Sequence, residues 1–403
     1  MPTIPNAGLD RAPAGQLMAG ARPYFYDMDA VRAVLMLLGV PYHAARIYAG
    51  TRDFAVESPV SSPVLDALSG FIHSFRMEAF FIVAGYFAAM VLWRSATGAF
   101  LASRTVRIGV PLLVCTLLFA PAGAALILAG TRHGGAVGVD EVAAMLSQPG
   151  SWWVMHLWFL QVVLVQTALL AGAAHLVRRW PPAAGAAARL SAALAGLTQR
   201  RFVFGGVLLG ALMTAVWVVP NVAAKLGVDL HPLAPAFDLR LVIRFLPMFG
   251  FGVALWALPA LRQWFSKPEP WSLPIALAAS LLFMAGEHAV PLSGALAAIG
   301  AGFAGLFWAQ VMLSFAARHL TRPNAVVTWL AQASYTVYLF HFPIVLALGL
   351  WFLGVDLPPL LEFAIITSVT LAICFAIFAV IRRSRLLGFL FNGKPLRGAT
   401  AAP

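Results

Sequence analysis

From residue 28 to residue 381 the chain runs as a series of long apolar stretches separated by short polar connections. Ten can be marked, at 28–48, 70–92, 106–130, 152–176, 202–220, 240–260, 271–286, 290–318, 326–353 and 358–381. Most approach the roughly 20 residues that an α-helix needs to cross a bilayer. The pattern predicts an all-α, polytopic membrane protein with about ten transmembrane helices. The seventh stretch is short and meets the eighth around Glu287, His288 and Pro291, so that pair reads as two helices or as a re-entrant hairpin. Residues 1–23, rich in Pro, Ala and Gly, read as a disordered cytoplasmic tail and not as a signal peptide. Residues 24–385 then form the membrane domain, and 386–403 a cytoplasmic C-terminal tail.

Composition narrows this further. Of 403 residues, 61% are hydrophobic and 10% charged, against roughly 25% charged in ordinary soluble domains. A soluble chain of this length needs more polar surface, which excludes a cytosolic enzyme or a secreted globule. The formal charge of +12 does not point to nucleic acid, because the basic residues follow the loops. With the N-terminus in the cytoplasm, nineteen Lys and Arg fall in inside segments and three outside, while nine of the 15 acids fall outside. The positive-inside rule therefore predicts an even number of spans with both termini cytoplasmic. Cys115 and Cys374 lie far apart within apolar runs, so they suggest neither a disulfide framework nor a metal site and read as small core residues. No metal-ligand cluster, phosphate-cradling Gly-rich loop or nucleophile elbow is evident.

Five basic residues remain at membrane level: Arg32, Arg46, Arg76, Arg240 and Arg244, joined by Asp29, Glu78 and Glu362. An Arg near the bilayer centre costs roughly 2.5–3.5 kcal/mol, so these groups are expected to converge on a polar interior. Asp29 and Arg32 stand at i, i+3 and can pair. Arg32 and His43 are eleven residues apart, which in a regular helix leaves them about 20° out of line and about 16 Å apart along the axis. One stripe of the first span would then carry a guanidinium near the cytoplasm and an imidazole in the outer half. Counting rise along the other spans puts Arg76, Glu78, His156 and His341 at heights compatible with His43. A lone intramembrane histidine is ordinarily a hydrogen bond between helices, the simpler reading for His73 and His156. Arg240 and Arg244 share a face at an outer end, where an anion partner would explain them. Arg104 and Arg107 lie at an inner helix end, where topology alone accounts for positive charge.

In order, these residues make a familiar pattern. It begins Tyr26-Asp27-Met28-Asp29-Ala-Val-Arg32, continues to His43 as Arg-x10-His, and passes through Phe71-Ile72-His73-Ser74-Phe75-Arg76-Met77. Arg104-x-x-Arg107, His156-Leu157-Trp158-Phe159-Leu160, Ser334-Tyr335 through His341, and Leu390-Phe391-Asn392-Gly393-Lys394-Pro395 complete it. Over about residues 24–396 the chain resembles the third family of integral-membrane acyltransferases, and within it the members that succinylate osmoregulated periplasmic glucans. The resemblance implies a bacterial inner-membrane enzyme without a permanently bound cofactor. It would move an acyl group from cytoplasmic acyl-CoA, succinyl-CoA above all, to hydroxyls of a periplasmic glucan, with His43 catalytic.

The residues fit such a reaction as follows. His43 is the expected general base, with His341 beside it and Glu78 to orient it. Arg32, Arg104 and Arg107 suit the CoA phosphates. His156 with Arg76, Arg240 and Arg244 would contact substrate, one of the three guanidinium groups holding the donor carboxylate. An O-acetyltransferase of another envelope polysaccharide or lipid is the rival of the same class. A secondary transporter or flippase is the rival of another, disfavoured because the sequence shows no internal repeat and no paired broken helices.

Overall fold

The structure, a computed structural model, describes residues 26–50, 54–148, 150–180, 202–228, 237–288, 293–320 and 324–396, with single positions between 182 and 193 and at 322. The expected N-terminal tail lies outside them. The described residues contain helices and turns and no strand. In chain order the helices are α1 Tyr26–Leu37, α2 Gly39–Arg46, α3 Pro63–His73, α4 Arg76–Leu92, α5 Thr97–Arg104, α6 Val110–Thr131, α7 Val139–Ser147 and α8 Ser151–Val154. They continue as α9 Trp158–Arg179, α10 Phe202–Lys225, α11 Leu239–Ala257, α12 Pro259–Phe265 and α13 Ser272–His288. The last four are α14 Ser293–His319, α15 Ala325–Phe352, α16 Pro359–Ile381 and α17 Arg385–Asn392.

Among the described residues, seven helical stretches are long and apolar enough to cross a membrane: Pro63–Leu92, Thr97–Thr131, Trp152–Arg179, Leu239–Ala257, Gly294–His319, Ala325–Phe352 and Pro359–Ile381. The other three expected spans are also helical. The first is divided between α1 and α2, the fifth is α10, and the seventh is α13. At 17 residues α13 is about 26 Å long, short of the roughly 30 Å hydrocarbon core, and it packs closely along α14. The stretches through α3–α4 and α14 are each 67% buried, whereas those through α6 and α16 are 28% buried. The former are therefore the centre of the bundle, and the latter turn their apolar sides outward.

Several ends have visible causes. Ser62 caps α3, its hydroxyl accepting from Leu65 N, and Pro63 occupies the first turn, where its missing N–H is harmless. That start extends the second expected span seven residues earlier than hydropathy suggested. Outside the long spans, Glu141 accepts from Gly138 N at the start of α7 and pairs with Arg132 at the end of α6. The Arg132 guanidinium holds its carboxyl down to about 2. Residues 385–392, at the junction with the expected tail, form α17, which lies against α6, α15 and α16.

The regular helices assumed from the sequence are interrupted at four places. Pro41 has no N–H to offer the Leu37 carbonyl, and its ring crowds that carbonyl; the first span accordingly breaks at Leu38, between α1 and α2. The second breaks at Ser74–Phe75. The fourth passes through a 3₁₀ turn at Met155–Leu157, where Met155 has φ 43°. The third carries a π-helical turn at Thr105–Gly109, directly after Arg104. These four interruptions, which the sequence did not announce as a group, all fall in the first four spans, so they are not the paired broken helices of a carrier. Interrupted backbone at membrane depth is tolerated where it is buried in protein or lines a cavity.

Candidate functional site

Three of those breaks surround one cavity of about 260 Å³. Tyr42 and His43 come from α2, His73 and Arg76 from either side of the Ser74–Phe75 break, and Met155 and His156 from the 3₁₀ turn. Tyr338 and His341 from α15 close it. Four imidazoles and one guanidinium line this space, with no acid among the lining residues. The depth estimate from sequence gave heights alone; the structure supplies the facing.

His341 stands between the other two candidate bases. Its ring centroid is 5.3 Å from that of His43 and 5.0 Å from that of His156. Its Nδ1 lies 2.8 Å from the Tyr338 carbonyl and 3.1 Å from that of Val337. Both are acceptors, so Nδ1 carries the proton and Nε2 keeps its lone pair. His156 is fixed by a different device. Pro343 cannot donate to the Leu339 carbonyl one turn back, and His156 Nε2 donates to it instead at 3.1 Å. Tyr338 donates to the His156 carbonyl at 2.8 Å. The interhelical hydrogen bond foreseen as the simpler reading of His156 is therefore real, and the same ring still lines the cavity. His43 is held by packing, with its centroid 4.7 Å from Tyr42, 4.8 Å from Phe342 and 6.0 Å from Phe54. Its buried Nδ1 has no hydrogen-bond partner among the described residues.

Arg76 lies over the Tyr42 ring, 4.7 Å from its centroid, and Tyr42 stacks on His73 at 5.4 Å. Position 39 is glycine for a local reason: a Cβ there would stand 2.7 Å from Arg76 Nη1 and 3.3 Å from His341 Nε2. Tyr42, Tyr338 and Met155 had no role in the sequence reading. The two tyrosines sit inside the quoted motifs, but nothing in the sequence announces the left-handed backbone at Met155, a conformation that stores strain.

At the other end of α1, Arg32 Nη2 pairs with Asp29 Oδ1 at 2.8 Å and donates to the Ala331 carbonyl at 3.2 Å. The i, i+3 pair foreseen from spacing is present. Arg32 also lies 5.2 Å from the Phe87 ring, and Arg104 donates to the Phe87 carbonyl at 3.3 Å. Arg107 is exposed within the π-helical turn, its carbonyl accepting from Tyr335 at 3.4 Å. Gly393, just after α17, packs directly on the Val106–Arg107 backbone. Arg32 and His43 both face α15, one at Ala331 and the other at His341. Those ten residues of α15 span about 15 Å, so the shared stripe survives the break at Leu38.

Three expected site residues go elsewhere. Glu78 follows Arg76 by two residues, about 200° around α4, and so points away from the cavity. It is 1% exposed, and its Oε1 accepts from Arg244 Nη2 at 3.1 Å. It does not orient His43. Arg240 pairs instead with Asp238, the residue capping α11, at 3.0 Å. Arg240 and Arg244 thus have separate carboxylate partners and do not share an anion between them.

A family model described as an acyltransferase domain matches residues 25–379. A protein named glucans biosynthesis protein C from Salmonella gallinarum is 27% identical over 393 residues, covering 93% of this chain and 96% of that protein. Its namesake from Escherichia coli K12 is 28% identical over 388 residues, covering 92% and 95%. No solved structure matches the chain.

Proposed function

The chain belongs to this acyltransferase family, and we propose that it transfers a succinyl group from cytoplasmic acyl-CoA to hydroxyls of a periplasmic glucan across the bacterial inner membrane. Seven apolar helices and the family make it a multi-pass membrane protein. The inside bias of Lys and Arg supports cytoplasmic termini, which puts the Arg32–Arg104 end inside and the imidazole cavity in the outer half. The observation that carries the reading is the cavity itself: His341 brings three imidazoles together, 5.3 Å from His43 and 5.0 Å from His156, about 15 Å along α15 from the point where Arg32 meets it. The glucan is suggested by the name of the relatives, and the succinyl group by the resemblance in the sequence.

In this reading Arg32, Arg104 and Arg107 hold the CoA phosphates, and the pantetheine arm bridges the roughly 15 Å to the imidazoles. His43 takes the proton of a sugar hydroxyl as its oxygen attacks the thioester carbonyl. The C–S bond breaks, an ester forms, and the thiolate of CoA leaves, taking up a proton from the site. An imidazole, with an ordinary pKa of about 6.5, suits this transfer at neutral pH. Broken helices and intramembrane histidines also occur in carriers; the match to an acyltransferase family favours the enzyme.

Mass spectrometry of periplasmic glucans from cells with and without the protein tests the proposal. Succinyl esters, each adding a carboxylate, should vanish with the protein; glucans unchanged in both mass and charge would overturn it. For the donor end, Arg107→Ala should raise KM for acyl-CoA roughly tenfold, the scale of one charge-assisted contact, with a smaller change in kcat. Steady-state kinetics in detergent or nanodiscs checks this. A loss confined to kcat would remove Arg107 from donor binding.

A further inference from the structure

We propose that Arg76 reads the free carboxylate of the acyl donor, making the site selective for half-thioesters of dicarboxylic acids. The inference rests on the acyl-transfer reading above and deepens it. Three guanidinium groups were candidates for this task from sequence, and the structure separates them. Arg244 pairs with Glu78 and Arg240 with Asp238. Arg76 forms no ion pair and no hydrogen bond with any described residue, and its buried Nε is without a partner. The Tyr42 ring lies beneath it and supports the guanidinium by its face, which leaves the hydrogen-bonding edge available.

The surroundings make a small anion the matching occupant. The lining residues carry no acid, so the positive charge of Arg76 has no counter-ion within the cavity. Glu78, on the same helix, faces the opposite way and is already committed. Gly39 lets the α2 backbone close on both Arg76 Nη1 and His341 Nε2, 2.7 and 3.3 Å from its Cβ position; the two atoms are therefore at most about 6 Å apart, and a ligand group held by the guanidinium lies beside the imidazoles. At about 260 Å³ the cavity suits an acyl group with the end of its thiol arm, and not the nucleotide portion of CoA. A carboxylate also matches the planar fork of a guanidinium better than a neutral methyl end does.

The test compares succinyl-CoA with acetyl-CoA as donors to the glucan, using wild type, Arg76→Leu and Arg76→Lys in nanodiscs. Wild type should prefer succinyl-CoA in kcat/KM. Arg76→Leu should lose succinyl transfer about 10- to 100-fold more than acetyl transfer, the range for losing charge-assisted hydrogen bonds. Arg76→Lys should keep part of the preference. Equal losses on both donors would instead assign Arg76 to the thioester oxyanion and overturn the proposal, as would a wild type without donor preference. A second readout does not need turnover: succinate, and not acetate, should raise the melting temperature of wild type and leave that of Arg76→Leu unmoved. Should the variants fail to fold, absence of the succinate effect in wild type overturns the proposal. Failure of wild type to acylate with either donor would reject the enzymatic reading, while a succinate shift would still report on Arg76.

Discussion

Replacing His43 with glutamine should reduce acyl transfer by about 10²- to 10⁴-fold, the range for removing a positioned general base, while the protein stays folded and inserted. The mildness of the structural effect follows from how His43 is held. Its ring is wedged among Tyr42, Phe54 and Phe342, and its buried Nδ1 bonds to no described residue. Glutamine fills similar space and strands no partner. His156→Leu differs in kind. There the side chain satisfies the Leu339 carbonyl left open by Pro343, and an unsatisfied buried carbonyl costs about 1–3 kcal/mol. Leucine has no donor for that carbonyl, so His156→Leu should lower thermal stability more than His43→Gln does. Initial rates at equal amounts of inserted protein, with melting curves of both variants, separate the two effects. If His43→Gln turns over like wild type, the base is His341, whose Nε2 lone pair faces the same space, and His43 is only a wall of the cavity.

What was legible in the sequence depended on how local its cause was. The Asp29–Arg32 pair follows from three residues' spacing, and the ten apolar stretches from twenty-residue windows; both are seen as helices and pairs in the structure. The match of Arg32 and His43 to one stripe was reached through a regular helix that does not exist, yet both still face α15. Pro41 was a readable break signal, as was the Ser62-Pro63 start of α3. The 3₁₀ turn at Met155 has no such marker, whereas the π-helical turn after Arg104 stands just before Pro111, which cannot donate to the Arg107 carbonyl. The pairing of Glu78 with Arg244 joins positions 166 apart in sequence, and height arithmetic cannot say which way a side chain faces. That arithmetic placed Glu78 at a height compatible with His43; rotation around α4 turns it to the opposite side.

The largest structural effect is expected from Gly252→Val. Helices α4 and α11 approach until their backbones touch, and a pair of glycines makes this possible. A Cβ on Gly252 would collide with the Ile82 carbonyl and stand 2.8 Å from Tyr86 N, while one on Gly85 would collide with the Phe249 carbonyl. Such reciprocal glycines are the ordinary route to close helix contact in a bilayer, where packing replaces the hydrophobic effect as the driving force. Ordinary overpacking costs about 1–3 kcal/mol because side chains can shift. Here the obstruction is backbone, so the helices must separate, and Gly252→Val should exceed that range and abolish folded protein. Gly250→Ala is the control: it lies on the same helix with nothing within 4 Å of its Cβ position. Alanine is favoured over glycine in a helix by roughly 0.5–1 kcal/mol, so this variant should match or exceed the wild-type melting temperature. The contact also bears on chemistry, since α4 carries Arg76 and Glu78 and α11 carries Arg244. Separating the helices would part Glu78 from Arg244 and leave the former's carboxylate able to compete for Arg76. Size-exclusion profiles and melting curves decide the matter: equal behaviour of the two variants would mean that the α4–α11 approach does not hold the bundle together.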